Sequence, residues 1–297
     1  MRKSSKMWIT VTVFALLLGL QPAARADAVA YMDTRTDQFG TIDLNTGVFT
    51  QIGKMGQQLS GLGVSGGNLF GGVTGTGNLY QVNPSSGALT LVGAGPINYL
   101  DTGSTSGGLY ALGGPGTVGS ALSLYSINAT TGAAALIGAT GLSFSTTVVD
   151  TVGLSTGSGS LYLTFGPSFS TATLYSVNVT TGTATSIGNT GADALGAEVF
   201  EGGALYGGSN TNGVSPVDSV YTLNTTTGAG TFIASESGGA TQFYGLAPAS
   251  PAAVPEPGSL LLLLTGLAAI VSRALGQTIS RGRECERPSA FEPPNSR

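Results

Sequence analysis

The 297-residue chain contains no histidine, one cysteine and one tryptophan, and only 9% of its residues are charged. The missing histidine excludes Ser-His-Asp chemistry, His-ligated zinc and the commonest general base at neutral pH. Cys285 has no partner within the chain, so no intramolecular disulfide can form and stability must come from packing and strand pairing. Cations are scarce. Between Asp27 and Val254, eleven carboxylates stand against Arg35 and Lys54 alone, a net charge of −9. A field of that sign repels phosphate backbones and anionic lipid head groups, which removes nucleic acid from the expected partners. The low charge is not a sign of disorder, because 41% of the chain is hydrophobic and much of that lies in short alternating runs.

The N-terminus reads as an address. Arg2, Lys3 and Lys6 precede an apolar run from Trp8 to Leu20, and Ala24-Arg25-Ala26 follows. A basic head, a short apolar body and a small-x-small exit predict a signal peptide over 1–26, cut after Ala26. The apolar run is too short for a spanning helix, which needs about 20 residues.

Between the terminal segments one phrase recurs five times: FGTIDLNTGVFTQIG (39–53), LYQVNPSSGALTLVG (79–93), LYSINATTGAAALIG (124–138), LYSVNVTTGTATSIG (174–188) and VYTLNTTTGAGTFIA (220–234). Each reads as a hairpin whose loop starts on Asn or Asp and closes on Gly47, Gly87, Gly132, Gly182 or Gly228. A Gly-Leu stretch and a Leu-aromatic stretch precede most of these hairpins. Four short strands in about 45 residues is the signature of a propeller blade. The first repeat lacks an innermost strand, beginning at AVAYMDT (28–34), while QFYGLA (242–247) is a spare one at the other end. The expectation is therefore an all-β, five-bladed β-propeller over 27–247, closed by pairing of the N- and C-terminal strands. The aromatics repeated at one strand position (Phe70, Tyr110, Tyr162 and Tyr206) are expected to pack blade on blade.

Aligning the innermost strands on their glycines brings out a second ring: Gln58, Asp101, Asp150, Asp193 and Gln242. Two readings compete. Each group caps backbone donors of an incoming loop, or the five converge on one channel mouth as a hard-cation or polyol site, with Ca²⁺ as the ion. No other cofactor is expected. The Asn-x-Thr triplets at Asn128, Asn178 and Asn224 match a glycosylation acceptor but are accounted for as hairpin loops.

After a linker at 248–254, the chain reads VPEPGSLLLLLTGLAAIVSR. This stretch resembles the sorting segment of PEP-CTERM proteins, the resemblance resting on Pro255, Glu256 and Pro257, the uncharged run Gly258–Ser272 and Arg273. It implies processing by an exosortase in a Gram-negative bacterium that makes extracellular polysaccharide. The implied route is signal-peptide export, transient insertion in the inner membrane, then release to the cell surface or matrix. The run would form a short C-terminal hydrophobic helix of about 22 Å, less than the roughly 30 Å of a hydrocarbon core. Residues 274–297 read as a disordered tail. The expected function is that of a non-enzymatic surface or matrix protein whose propeller binds a ligand, extracellular polysaccharide among the candidates, or serves a structural role. The alternatives are a glycan-active enzyme using carboxylates at the channel mouth and a protein–protein scaffold.

Overall fold

Alternating apolar and polar residues between Gly-closed turns give twenty strands and, among the described residues, no helix. The computed structural model describes residues 28–114, 120–144, 150–157, 160–167, 170–209, 218–240 and 242–249. The signal residues Ala24 and Ala26 and the segment carrying Pro255, Glu256, Pro257 and Arg273 lie outside the described residues.

The strands form five antiparallel four-stranded meanders. In the first, β1 (Val29–Thr34), β2 (Gln38–Asp43) and β3 (Phe49–Lys54) are joined by the last strand, β20 (Phe243–Pro248), in the order β20-β1-β2-β3. The second is β4 (Ser60–Ser65), β5 (Asn68–Gly72), β6 (Asn78–Val82) and β7 (Leu89–Ala94). The third is β8 (Tyr99–Thr105), β9 (Gly108–Gly113), β10 (Ala121–Ile127) and β11 (Ala134–Ser143). The fourth is β12 (Asp150–Thr156), β13 (Leu161–Pro167), β14 (Thr171–Val177) and β15 (Ala184–Asp193). The fifth is β16 (Leu195–Glu201), β17 (Ala204–Ser209), β18 (Ser219–Leu223) and β19 (Gly230–Ser235).

The spare strand fills the place left for it. β20 pairs antiparallel with β1, Ala30 opposite Pro248 and Asp33 opposite Gly245, and the Ala249 N–H donates to the Val29 carbonyl at 3.3 Å. The sheet thus takes in Pro248, which the sequence reading gives to the linker, and Ala249 is bonded to it.

Each hairpin loop is the same device. Asp43, Asn83, Asn128, Asn178 and Asn224 accept backbone N–H groups two residues on through their side-chain oxygens, at 2.8–2.9 Å. Their carbonyls accept from the loop glycines at 2.7–2.8 Å. Those glycines have φ between 72° and 81°, the left-handed region in which a side chain is strained. Asn128, Asn178 and Asn224 are occupied as turn formers.

The aromatics pack as expected. Phe70 lies in a cluster with Tyr99, Leu109 and Ile127 of the third meander, and Tyr110 in one with Leu154, Leu161 and Val177 of the fourth. Tyr162 packs against Leu195, Leu205 and Leu223 of the fifth. Tyr206 packs with Met32, Ile42 and Leu44 of the first, and Tyr31 of the first against Leu59, Leu62 and Val82 of the second. All five hydrophobic clusters therefore join one meander to the next, which puts the core at the joints.

Candidate functional site

The innermost strands β20, β4, β8, β12 and β16 run beside one another. β12 bridges β8 and β16 in parallel, with Thr156 opposite Ser104 and Ser155 opposite Glu198. Side chains stitch these strands together as well. The Val64 N–H of β4 donates to Ser104 Oγ of β8 at 2.9 Å, and the Leu154 N–H of β12 donates to Asp101 Oδ2 at 2.7 Å. Thr156 Oγ1 donates to the Leu62 carbonyl at 2.5 Å, a bond from β12 to β4 that passes over β8. A wide channel would keep those strands apart, so at this level the space between them is packed.

Three carboxyls are enclosed there: Asp33 on β1, Asp101 on β8 and Glu198 on β16, none more than 2% exposed. Asp101 Oδ1 accepts the Thr102 N–H at 2.6 Å, and the Thr164 hydroxyl donates to Glu198 Oε1. Both oxygens of Asp33, Oε2 of Glu198 and the Tyr99 hydroxyl have no hydrogen-bond partner. Burial is the main cause that lifts all three acids above the usual carboxylate range, Glu198 up to about 8. Asp101 is raised further by the charges of Glu198 and Asp33 and lowered by its two backbone donors. Burial also pushes Tyr99 up to about 12.

The carboxyls fit because the facing backbone lacks side chains. A Cβ on Gly61 would collide with Asp101 Oδ1, one on Gly153 with the Glu198 carboxylate and one on Gly245 with Asp33 Oδ1. These are glycines of the Gly-Leu pattern, so that pattern records the room three acids require.

Beyond the acids, the exit ends of the inner strands surround a half-open depression of about 310 Å³. Its walls are Val64 and Ser65 of β4, Ser104 and Thr105 of β8, Gly108 of β9, Thr156 of β12 and Pro248 of β20, with Gly66, Ser106 and Gly157 at the strand exits. Among the described residues, no titratable side chain lines it. Ser104 is three residues beyond Asp101, about 10 Å along the strand, so Asp101 lies well beneath the floor, and Glu198, level with Ser155, is one residue below Thr156.

The five groups aligned on their glycines are dispersed. Gln58 is exposed ahead of β4, and Asp193 is exposed at the end of the outer strand β15. Asp101 is buried within β8, and Asp150 opens β12 with its side chain outside the described set. Gln242 is buried, its Oε1 accepts from Arg35 at 3.2 Å and its N–H donates to Asp218 at 2.8 Å. The alignment fails for Asp101 because the parallel register counts it level with Gly153, three residues further along than Asp150. Asp101 holds the Thr102 and Leu154 N–H groups, whereas Gln242 has its own N–H held by Asp218; Asp33 and Glu198, the acids that do lie near Asp101, are absent from the alignment. Among the described residues, no three His, Cys, Asp or Glu side chains are grouped as a metal centre needs.

No protein-family model matches the chain, and no curated protein is similar to it. Among solved structures, the Dos1 propeller matches with 10% identity and a TM-score of 0.38 over 70% of this chain, which spans 56% of the Dos1 chain. A nidogen/laminin complex gives 14% identity and a TM-score of 0.45, over 75% of this chain and 81% of that one. A Bacteroides fragilis protein assigned as a 6-phosphogluconolactonase gives 10% identity and 0.41, over 76% and 99%. At TM-scores below 0.5 these are resemblances of chain path, and no ligand or activity passes from them to this chain.

Proposed function

We propose that the chain is an exported, non-enzymatic component of the cell surface or extracellular matrix. In this reading the five meanders are the blades of a closed five-bladed propeller, and an exosortase sorts the protein through residues 255–273. The observation that carries the reading is the separation of acid from solvent. Asp33, Asp101 and Glu198 are 0–2% exposed, whereas the open depression above them offers hydroxyls. A glycosidase needs two carboxyl groups flanking its substrate in reach of water, and Asp33, Asp101 and Glu198 are sealed beneath the strands. Display of a ligand-binding or structural surface demands only a rigid disc.

Closure is supported by the contacts of the last meander with the first. β20 completes the sheet of β1, Tyr206 packs on Met32 and Leu44, and the Ser237 N–H donates to the Gly47 carbonyl at 2.9 Å. A closed disc leaves its C-terminal strand paired with its own first strand, with the PEP triplet only a few residues further along the sequence.

Expression of the full chain with and without an exosortase tests the sorting. With the enzyme, the chain is expected to lose mass at its C-terminus and move from the inner membrane to the surface or medium. Replacing Pro255, Glu256 and Pro257 by Ala should trap it uncut. A triple-Ala chain that is cut and released like the original would overturn the reading.

A further inference from the structure

We propose that the depression at the exit ends of the inner strands is a binding site for an uncharged polyhydroxylated ligand, a single neutral sugar residue, free or within a glycan. The proposal names the ligand class of the matrix component above and rests on that reading only for where such a ligand would be met.

Four inner strands deliver their last residues to one place, and five of those residues or their turn neighbours carry hydroxyls: Ser65, Ser104, Thr105, Ser106 and Thr156. The accessible hydroxyls are those of Ser65, Thr105 and Ser106; Ser104 and Thr156 are buried and form the floor, bonded to the Val64 N–H and the Leu62 carbonyl. Thr105 Oγ1 accepts the Gly107 N–H at 3.2 Å, which leaves a proton to give, and the hydroxyls of Ser65 and Ser106 can both give and accept. A ring of mixed donors and acceptors is what a sugar hydroxyl needs, since it gives and takes hydrogen bonds at the same oxygen.

Charge narrows the class. Among the described residues, no cation lines the depression to hold a uronate, sulfate or phosphate, no carboxylate lines it to hold an ammonium group, and the acidic chain around it repels anions. The volume of about 310 Å³ lies at the low end of small-ligand sites, which limits the occupant to one residue at a time. Gly66, with φ of 56°, lies on the wall with open space where a side chain would stand, so the depression stays unfilled on that side. The floor is rigid, because Ser104 and Thr156 are each fixed by a bond to another inner strand. A rigid floor presents the hydroxyls at low ordering cost.

The purified full chain is titrated with glucose, galactose, mannose, N-acetylglucosamine and their β1-4-linked disaccharides, and with glucuronic acid as the anionic control, followed by saturation-transfer NMR and calorimetry. At least one neutral sugar is expected to bind and glucuronic acid is not. The double variant Ser65→Ala/Ser106→Ala removes two hydroxyls from the turn side of the site, and should weaken binding at least about tenfold with an unchanged melting temperature. Absence of binding by every neutral sugar, a preference for glucuronic acid, or undiminished binding by the double variant would each overturn the proposal. These titrations do not depend on C-terminal cutting, so they can fail while the sorting result stands, and the reverse.

Discussion

At the scale of single residues, the most consequential feature is a set of acids with no cation to face. Three enclosed carboxyls cannot all ionise cheaply, because burial penalises the charge of each and Glu198 and Asp33 raise Asp101 further. Asp33 has no hydrogen-bond partner at either oxygen, so its neutral form is the one the site favours. The sign of the pH dependence follows. A folded-state pKa above the unfolded one means that the native protein keeps a proton which the unfolded chain has released. The stabilisation is complete below the unfolded value of 4.5 for Glu198 and drains away as pH rises through about 8. At about 1.4 kcal/mol per unit, the loss at Glu198 is on the order of 5 kcal/mol, and Asp33 and Asp101 act in the same direction. The urea midpoint is expected to fall steeply between pH 5 and pH 9. Glu198→Gln keeps the shape without the titration, so it should be near neutral at pH 5 and clearly stabilising at pH 9; a decline parallel to that of the native chain would contradict this account. The facing glycine gives a second measurement. Gly153→Ala puts a methyl into the Glu198 carboxylate and should cost about 1–3 kcal/mol, and the cost should shrink when Glu198 is also Ala, a coupling that a double-mutant cycle reads directly. Neither acid is conspicuous in the sequence. Asp33 closes AVAYMD and Glu198 sits inside LGAEVF, and only the pairing of β1 with β20 and of β12 with β16 brings their strands beside Gly245 and Gly153.

At the scale of the element, the repeated phrase records more than a hairpin. Its ending, Ile-Gly or Val-Gly, is a β-bulge followed by a docking point. In the third meander Leu124 pairs with Gly138 and Tyr125 with Leu136, so Ile137 is the extra residue, and the shift recurs in each hairpin at the same place. In four of the five hairpins the extra residue turns toward the core: Val92, Ile137, Ile187 and Ile233 all pack against clusters, whereas Ile52 of the first is exposed. The glycine beside it receives the next hairpin loop. A Cβ on Gly53, Gly93, Gly138 or Gly188 would run into the carbonyl of Ser86, Thr131, Thr181 or Thr227, each the residue before a loop glycine. Gly138→Ala and Gly188→Ala should therefore lower stability by about 1–3 kcal/mol each in urea melts, although both lie in ordinary extended backbone. The fifth phrase ends in Ala234, and there the Gly47 loop reaches on to Ser237 through a parallel bridge at Val48. Ala234→Gly should accordingly cost less than about 1 kcal/mol. The hairpins, their turn residues and their spacing were legible in the sequence because a local turn has a local signature. The purpose of the terminal glycine was not, since its partner lies a whole repeat away.

At the scale of the molecule, the decisive question is whether the chain ends are structural or incidental. The missing first strand and the spare last one could be matched from sequence alone because both carry a period-2 pattern bounded by turn residues. The depression could not be found that way, since it is made of hydroxyls and glycines that recur throughout the chain and gain meaning only where four strand ends meet. If the five meanders form a ring, the position of the termini within it is arbitrary. The Ala249 N–H is bonded to the Val29 carbonyl, so a short Gly-Ser linker can join the two ends without disturbing β1 or β20. New termini are then opened at Gly56, an exposed loop residue whose φ of 75° faces empty space. In this circular permutant the first meander becomes a continuous segment, with β20 leading directly into β1. It is expected to fold to the same melting temperature within a few degrees and to bind the same neutral sugar. A chain ending before Phe243 should fail in the opposite way, because it leaves the apolar β1 edge and the face of Met32 open, and it should aggregate on expression. A permutant that does not fold, beside a truncated chain that does, would show that β20 is an appendage and that the meanders form an open row.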